Sequence, residues 1–227
     1  MSFLFATPLF WTTLTIAAFA LGQVLYRRSH NHPLLQPMLV GMVILVAVIE
    51  LSGSSYQSYM AGGDYLNQML APVVVMLAVP MYAFVHAMRK EWLRIVVAVS
   101  LGSAVTIFVA GGLTYWLLGD EVVAKTALTK SITTPIAVAV AEQLGGIPAL
   151  AAAFVMVSGL LGAFLIPSLL KVTKLNAPQS MGVALGVCAH AIGTARALEE
   201  GQQQAAYAAM AMTLTGVLHA IVLPLLF

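Results

Sequence analysis

Charge is what this 227-residue chain has least of: ten Lys/Arg and eight Asp/Glu, 8% of the residues, giving a net charge of +2. Soluble domains carry about 25% charged residues, so a water-soluble enzyme and a disordered chain are both excluded. The near balance of signs also excludes a polyanionic partner, and no nucleic acid is expected. Cysteine is nearly absent. Cys188 stands alone, which rules out an intrachain disulfide. The first residues, Met1-Ser-Phe-Leu-Phe, carry no basic cluster, so a cleaved signal peptide is not expected. A Gly-x-Ser-x-Gly elbow, a phosphate loop and a His/Cys/carboxylate set at metal spacing are all missing. The expectation is therefore no enzyme, no cofactor and no metal.

What fills the chain instead is apolar sequence: 61% hydrophobic residues and a mean hydropathy of +0.96. A membrane helix needs about 20 such residues in a row. Polar punctuation leaves apolar blocks at 3–26, 34–51, 65–87, 92–118, 126–144, 147–170, 179–198 and 203–227. Open sheets cannot exist in lipid. The blocks therefore predict an all-α integral membrane protein, a polytopic helical bundle in one transmembrane domain over 1–227. Residues 1–118 supply its smoother N-terminal spans and 119–227 its motif-bearing half. Tyr59, Tyr65, Trp92, Tyr115 and Trp116 suit an aromatic belt, while Glu50, Asp64, His86 and His219 fall near block ends and read as interfacial.

Orientation follows Lys/Arg bias. Arg27-Arg28 and Arg89-Lys90-Arg94 suit the cytoplasm, but simple alternation then puts Lys171 and Lys174 outside. Parity is repaired if block 126–144 dips in and returns on one side. The chain also shows a possible inverted repeat, in which Pro72-Val-Val-Val-Met-Leu-Ala78 aligns with Pro135-Ile-Ala-Val-Ala-Val-Ala141 without a gap. Matched interrupted segments are the usual pointer to a transporter site.

Two stretches place chemistry inside apolar sequence. In Lys130-Ser131-Ile-Thr133-Thr134-Pro135, a Thr cap and a first-turn Pro predict a helix starting at Pro135. Its free N–H groups and dipole favour an anion, with Lys130 and the hydroxyls beside them; the alternative is a cap at the membrane surface with Lys130 snorkelling to water. In His190-Ala-Ile-Gly193-Thr194-Ala-Arg196, a helix broken at Gly193 and recapped by Thr194 presents a second such end. His190 is placed to bind a carboxylate or exchange a proton. The alternative is an unbroken helix with Arg196 at the headgroups near Glu199. Glu142, before Gly145-Gly146, is either a proton or cation site or a turn residue open to water.

These stretches carry a resemblance. Tyr56-Gln-Ser-Tyr59, Leu70-Ala-Pro72 through Pro80-Met-Tyr82, Lys130-Ser-Ile-Thr-Thr-Pro135, Gly145-Gly-Ile-Pro148 and Ala189-His190 through Arg196 together resemble the LrgB/CidB family over nearly the full length. The chain departs at Gln36, where the family usually has Asn before Pro, and at Thr129, where Pro is common. The resemblance implies two competing functions. One is transport of small monocarboxylates of the pyruvate, glycolate and glycerate class by alternating access, as in the related plastid glycolate/glycerate translocator. The other is holin/antiholin-like regulation of murein hydrolase export and autolysis with a small LrgA/CidA-like membrane partner. The site chemistry favours the first. The expected substrate-binding set is Lys130, Ser131, Thr133, Thr134, Pro135, His190, Gly193, Thr194 and Arg196, with Glu142 or His190 coupling a proton. The expected setting is the bacterial cytoplasmic (inner) membrane, with the protein multi-pass and homo-oligomeric, as a dimer.

Overall fold

The computed structural model describes residues 7–29, 35–69, 72, 75–76, 78–175 and 177–227. All regular structure among these residues is helical, as the apolar blocks require. Contacts divide the chain into two compact units, Met1–Met76 and Leu77–Phe227. The aligned segment beginning at Pro72 lies partly outside the described residues, so the proposed repeat with Pro135 is not placed.

The first unit holds α1 (Pro8–Arg28), α2 (Pro37–Ser52) and α3 (Tyr56–Gln68). Each of α1 and α2 starts with Pro in its first turn, where the missing N–H costs nothing. A glycine lets α3 press onto α1. A Cβ at Gly62 would collide with the Pro8 carbonyl and stand 2.7 Å from Trp11 Cβ. The Thr12 hydroxyl donates to the Gly62 carbonyl at 2.8 Å across the same contact.

The second unit runs α4 (Ala78–Ala83), α5 (Val85–Leu118), α6 (Glu121–Ala127), α7 (Thr134–Gln143), α8 (Pro148–Val172), α9 (Pro178–Glu200) and α10 (Gln202–Leu226). Here the structure corrects two block boundaries. The expected break at Arg89-Lys90-Glu91 lies inside the 34-residue α5. Lys, Arg and Glu are good helix formers, so charge marks where this helix leaves the lipid and not where it ends. Its length, about 51 Å at 1.5 Å per residue, exceeds a hydrocarbon core of about 30 Å. Because α5 packs on α10 and α6, it belongs with the motif-bearing half, whose boundary falls at Leu77 and not at 119.

Among the described residues, five helices are long and apolar enough to cross a membrane: α1, α5 from Met88, α8, α9 and α10. Composition misleads for α9. His190 has φ 42° and ψ −130°, and beyond it the chain turns back on itself. A Cβ at Gly193 would collide with the carbonyl of Leu185, eight residues earlier, and would stand 2.7 Å from Ala189 Cβ. In a continuous helix those levels are about 12 Å apart. Ala197 shares a cluster with Met181 and Leu185, and Glu200 reaches Lys171 at the end of α8 at 3.5 Å. Residues 178–189 and 191–200 are thus two antiparallel half-helices, and their tip is His190.

The segment 121–146, earlier in the chain, is the first of two hairpins, and α9 is the second. At seven and ten residues, α6 and α7 are about 10 and 15 Å long, too short to span. The Thr126 hydroxyl accepts from the Ile147 amide at 2.9 Å, closing the excursion near its starting level. Leu128 packs with Val140 and Leu144, and Ile132 packs with Ala137, so the outgoing strand runs back along α7. The expected return of block 126–144 on one side is what the structure contains. The unit therefore alternates crossing helix, hairpin, crossing helix, hairpin, crossing helix. One crossing out along α5 and one back along α8 puts Arg89, Lys90 and Arg94 on the same face as Lys171 and Lys174, as the positive-inside rule asks.

Small residues let the second hairpin sit against α10. A Cβ at Gly186 would collide with the Ala208 carbonyl, and one at Gly182 would stand 2.6 Å from Tyr207 Cβ. Overpacking of this kind costs about 1–3 kcal/mol. Gly186→Ala is expected to lower the thermal midpoint in detergent by several degrees, whereas Gly112→Ala, with nothing within 4 Å of its Cβ, leaves it unchanged.

Candidate functional site

The two hairpin tips converge on the middle of α8. Ser158 stands ten residues into this 25-residue helix, about 15 Å from its start. Its hydroxyl donates to the Lys130 carbonyl at 2.5 Å, with its own helix's Val155 carbonyl 3.1 Å away. From the other hairpin, His190 Nε2 lies 3.0 Å from the same Val155 carbonyl. A carbonyl only accepts, so Nε2 carries the hydrogen and, in the neutral ring, Nδ1 keeps its lone pair. Gly159 makes room for the ring, since a Cβ there would stand 2.7 Å from it.

At the first tip, residues 128–133 are a chain of turns stitched by amide-to-carbonyl bonds of 3.3 Å, from Leu128 to Lys125 through Ile132 to Thr129. Helix α7 then starts at Thr134, one residue before the expected Pro135. Thr133 takes the cap position in extended conformation, φ −65° and ψ 145°, but its hydroxyl makes no cap bond. The helix N-terminus therefore keeps free N–H groups and its positive dipole end at the tip. Ser131 is buried and lies 3.5 Å from Lys130 Nζ. The half-buried Lys130 has no carboxylate partner among the described residues; the ion pairs there belong to Lys125, Lys171 and Arg196. It lies within electrostatic reach of Cys188, His190 and His219.

At the second tip the interruption falls at His190, three residues before the expected Gly193–Thr194. Gly193 serves the fold-back by admitting the Leu185 backbone. Thr194 does not recap the break. Its hydroxyl donates to the His190 carbonyl at 2.9 Å, one turn back, and approaches Met212 Sδ at 3.7 Å. A non-glycine residue at positive φ costs about 1–3 kcal/mol and persists only where its surroundings fix it; here they are Val155 and Gly159. Past the break, residues 191–200 begin a new half-helix, so its N-terminus also faces this centre.

Three expected members are not turned toward the site. Arg196 binds Glu199 Oε2 at 2.5 Å and Glu200 Oε1 at 2.7 Å, which neutralises it near the membrane face. Glu142 is exposed at the end of α7. Pro135 is also exposed and shapes the helix start without facing inward. Sequence reasoning missed Ser158, whose only signal was a lone hydroxyl in an apolar helix. It also gave no sign that His219, read from its distance to a block end as interfacial, is fully buried in α10 together with Thr215.

Two re-entrant hairpins with their tips together at mid-helix, set among long apolar helices, define a polytopic all-α membrane protein. The sequence profile of the LrgB-like family matches residues 15–227, and the chain belongs to that family. It is 36% identical over 213 residues to the uncharacterized protein YxaC of Bacillus subtilis (strain 168), covering 93% of this chain and 92% of that one. It is 30% identical over 219 residues to proteins named antiholin-like protein LrgB in Bacillus cereus (strain B4264) and Bacillus anthracis (strain CDC 684 / NRRL 3495), covering 96% and 95%. No solved structure matches the chain.

Replacing Ser158 by Ala removes the side-chain hydrogen bond that ties the first tip to α8. A net loss of about 1 kcal/mol is expected, read as a lower thermal midpoint together with faster proteolysis at 128–133. Thr173→Ala, which deletes an exposed hydroxyl bonded only within its own helix, is expected to change neither.

Proposed function

We propose that the protein is a carrier of small monocarboxylates in the cytoplasmic membrane, binding the anion between the two hairpin tips. The observation that carries this reading is Lys130: a half-buried cation at mid-helix depth with no carboxylate beside it, next to the free N-terminus of α7. A charge inside a membrane is costly and calls for a counter-charge, and the dipole ends beside it favour an anion over a resident cation. Ser131, Thr133 and Thr134 supply hydroxyls, and His190 offers Nδ1 or, when protonated, a second N–H. Alternating access follows from the architecture, because the hairpins open toward opposite faces and meet at one point. Arg196 is assigned to its carboxylates and not to the anion.

A second reading rests on the relatives' name. Antiholin-like proteins would act by assembly with a small LrgA/CidA-like partner, controlling murein hydrolase export, and a homodimer belongs to the same expectation. The two readings separate in liposomes holding the purified chain alone. The carrier predicts saturable uptake of pyruvate or glycolate, reduced at least tenfold in Lys130→Gln, about 1.4 kcal/mol or more of lost binding, and retained in Arg196→Gln. Uptake that does not saturate, or unselective leakage that grows with protein density, contradicts the carrier and favours the assembly reading.

A further inference from the structure

Three polar side chains lie in the core of the second unit with no hydrogen-bond partner among the described residues: Ser103, Thr215 and His219, the last with both ring nitrogens unpartnered. All three are 0% exposed. Buried polar groups in folded proteins are almost always paired, so three such groups in one unit need an explanation.

The level of two of them is fixed by their neighbours. Thr215 and His219 are four residues apart and share one face of α10. On that face Met212 meets the Thr194 hydroxyl, and Gly216 admits Ile136 of α7, whose Cδ1 would be 3.2 Å from a Cβ there. Ser103 lies on α5 beside Gly102, which faces Val187 of α9. Lys130 is within electrostatic reach of His219.

We infer that Thr215 and His219 form a neutral hydrogen-bonding subsite that receives a second oxygen of the bound anion, while Lys130 and the α7 N-terminus hold its carboxylate. This inference rests on the carrier reading. It adds a selectivity: a site built to hydrogen-bond an oxygen rejects the analogue that lacks it, because the buried partners are then left unpaired. Carboxylates with an oxygen on the adjoining carbon are therefore preferred to plain alkyl carboxylates.

The test uses the full chain in liposomes with two probes that differ by one oxygen, lactate and propionate. Wild type is expected to take up lactate at least tenfold more efficiently, as kcat/KM. Thr215→Val, which keeps shape and deletes the hydroxyl, is expected to shrink that ratio to threefold or less while the thermal midpoint stays or rises. His219→Leu is expected to do the same, and His219→Gln to restore part of the preference. An unchanged ratio in Thr215→Val and His219→Leu overturns the subsite while leaving the carrier standing. A thermal midpoint that falls in Thr215→Val also overturns it, because the hydroxyl then has a structural partner. If wild type takes up neither acid saturably, the carrier reading fails and the subsite falls with it.

Discussion

A backbone that stops halfway across a lipid bilayer exposes amide and carbonyl groups where no water can satisfy them. Nearly everything informative in the second unit answers that constraint. Both hairpin tips end at mid-helix depth, and both are tied to α8 within one turn: Lys130 through the Ser158 hydroxyl, His190 through the Val155 carbonyl. Helix α8 is thus the beam on which two half-crossings rest. Gly159 lets the imidazole in, and Gly182 and Gly186 seat the second hairpin on α10. The irregular backbone is tolerable in lipid because protein surrounds it.

The same geometry decides which charges are available. Arg196 lies in the last turns of α9, where Glu199 and Glu200 follow at three and four residues and take its guanidinium. Lys130 sits on a turn without an acidic residue at helical spacing and has no carboxylate partner among the described residues. Two cations in apolar blocks look alike in composition and differ entirely in their surroundings. The fold separates them by distance from the beam.

The helical class, the re-entry of block 126–144 and the start of α7 were legible in the sequence, because Pro, Thr and Gly act locally on the backbone. Parity of basic residues carried the re-entry, a bookkeeping argument that needs no packing. The second interruption was legible in kind but displaced: Gly193 and Thr194 look like a break and a cap, yet glycine there serves close packing against Leu185, and the turn falls on His190, held by tertiary contacts no local pattern reveals. The continuity of α5 through Arg89-Lys90-Glu91 was hidden because charge marks the edge of lipid and helix propensity does not stop there. His219 was read as interfacial from its distance to the block end, although the side chain is buried. Burial without a partner is visible only in three dimensions, and it brought Thr215 and Ser103 into view.

The claim on which the account stands is that α9 doubles back at His190 instead of crossing. Single cysteines at Gly146, Lys174 and Gln203 in a Cys188→Ser background, probed from each side with a membrane-impermeant maleimide, test it directly. The account predicts that the cysteines at 174 and 203 react from one face and the cysteine at 146 from the other. Reaction of the cysteine at 203 from the face opposite to 174 would mean that α9 spans the bilayer, and the paired-hairpin centre would not exist.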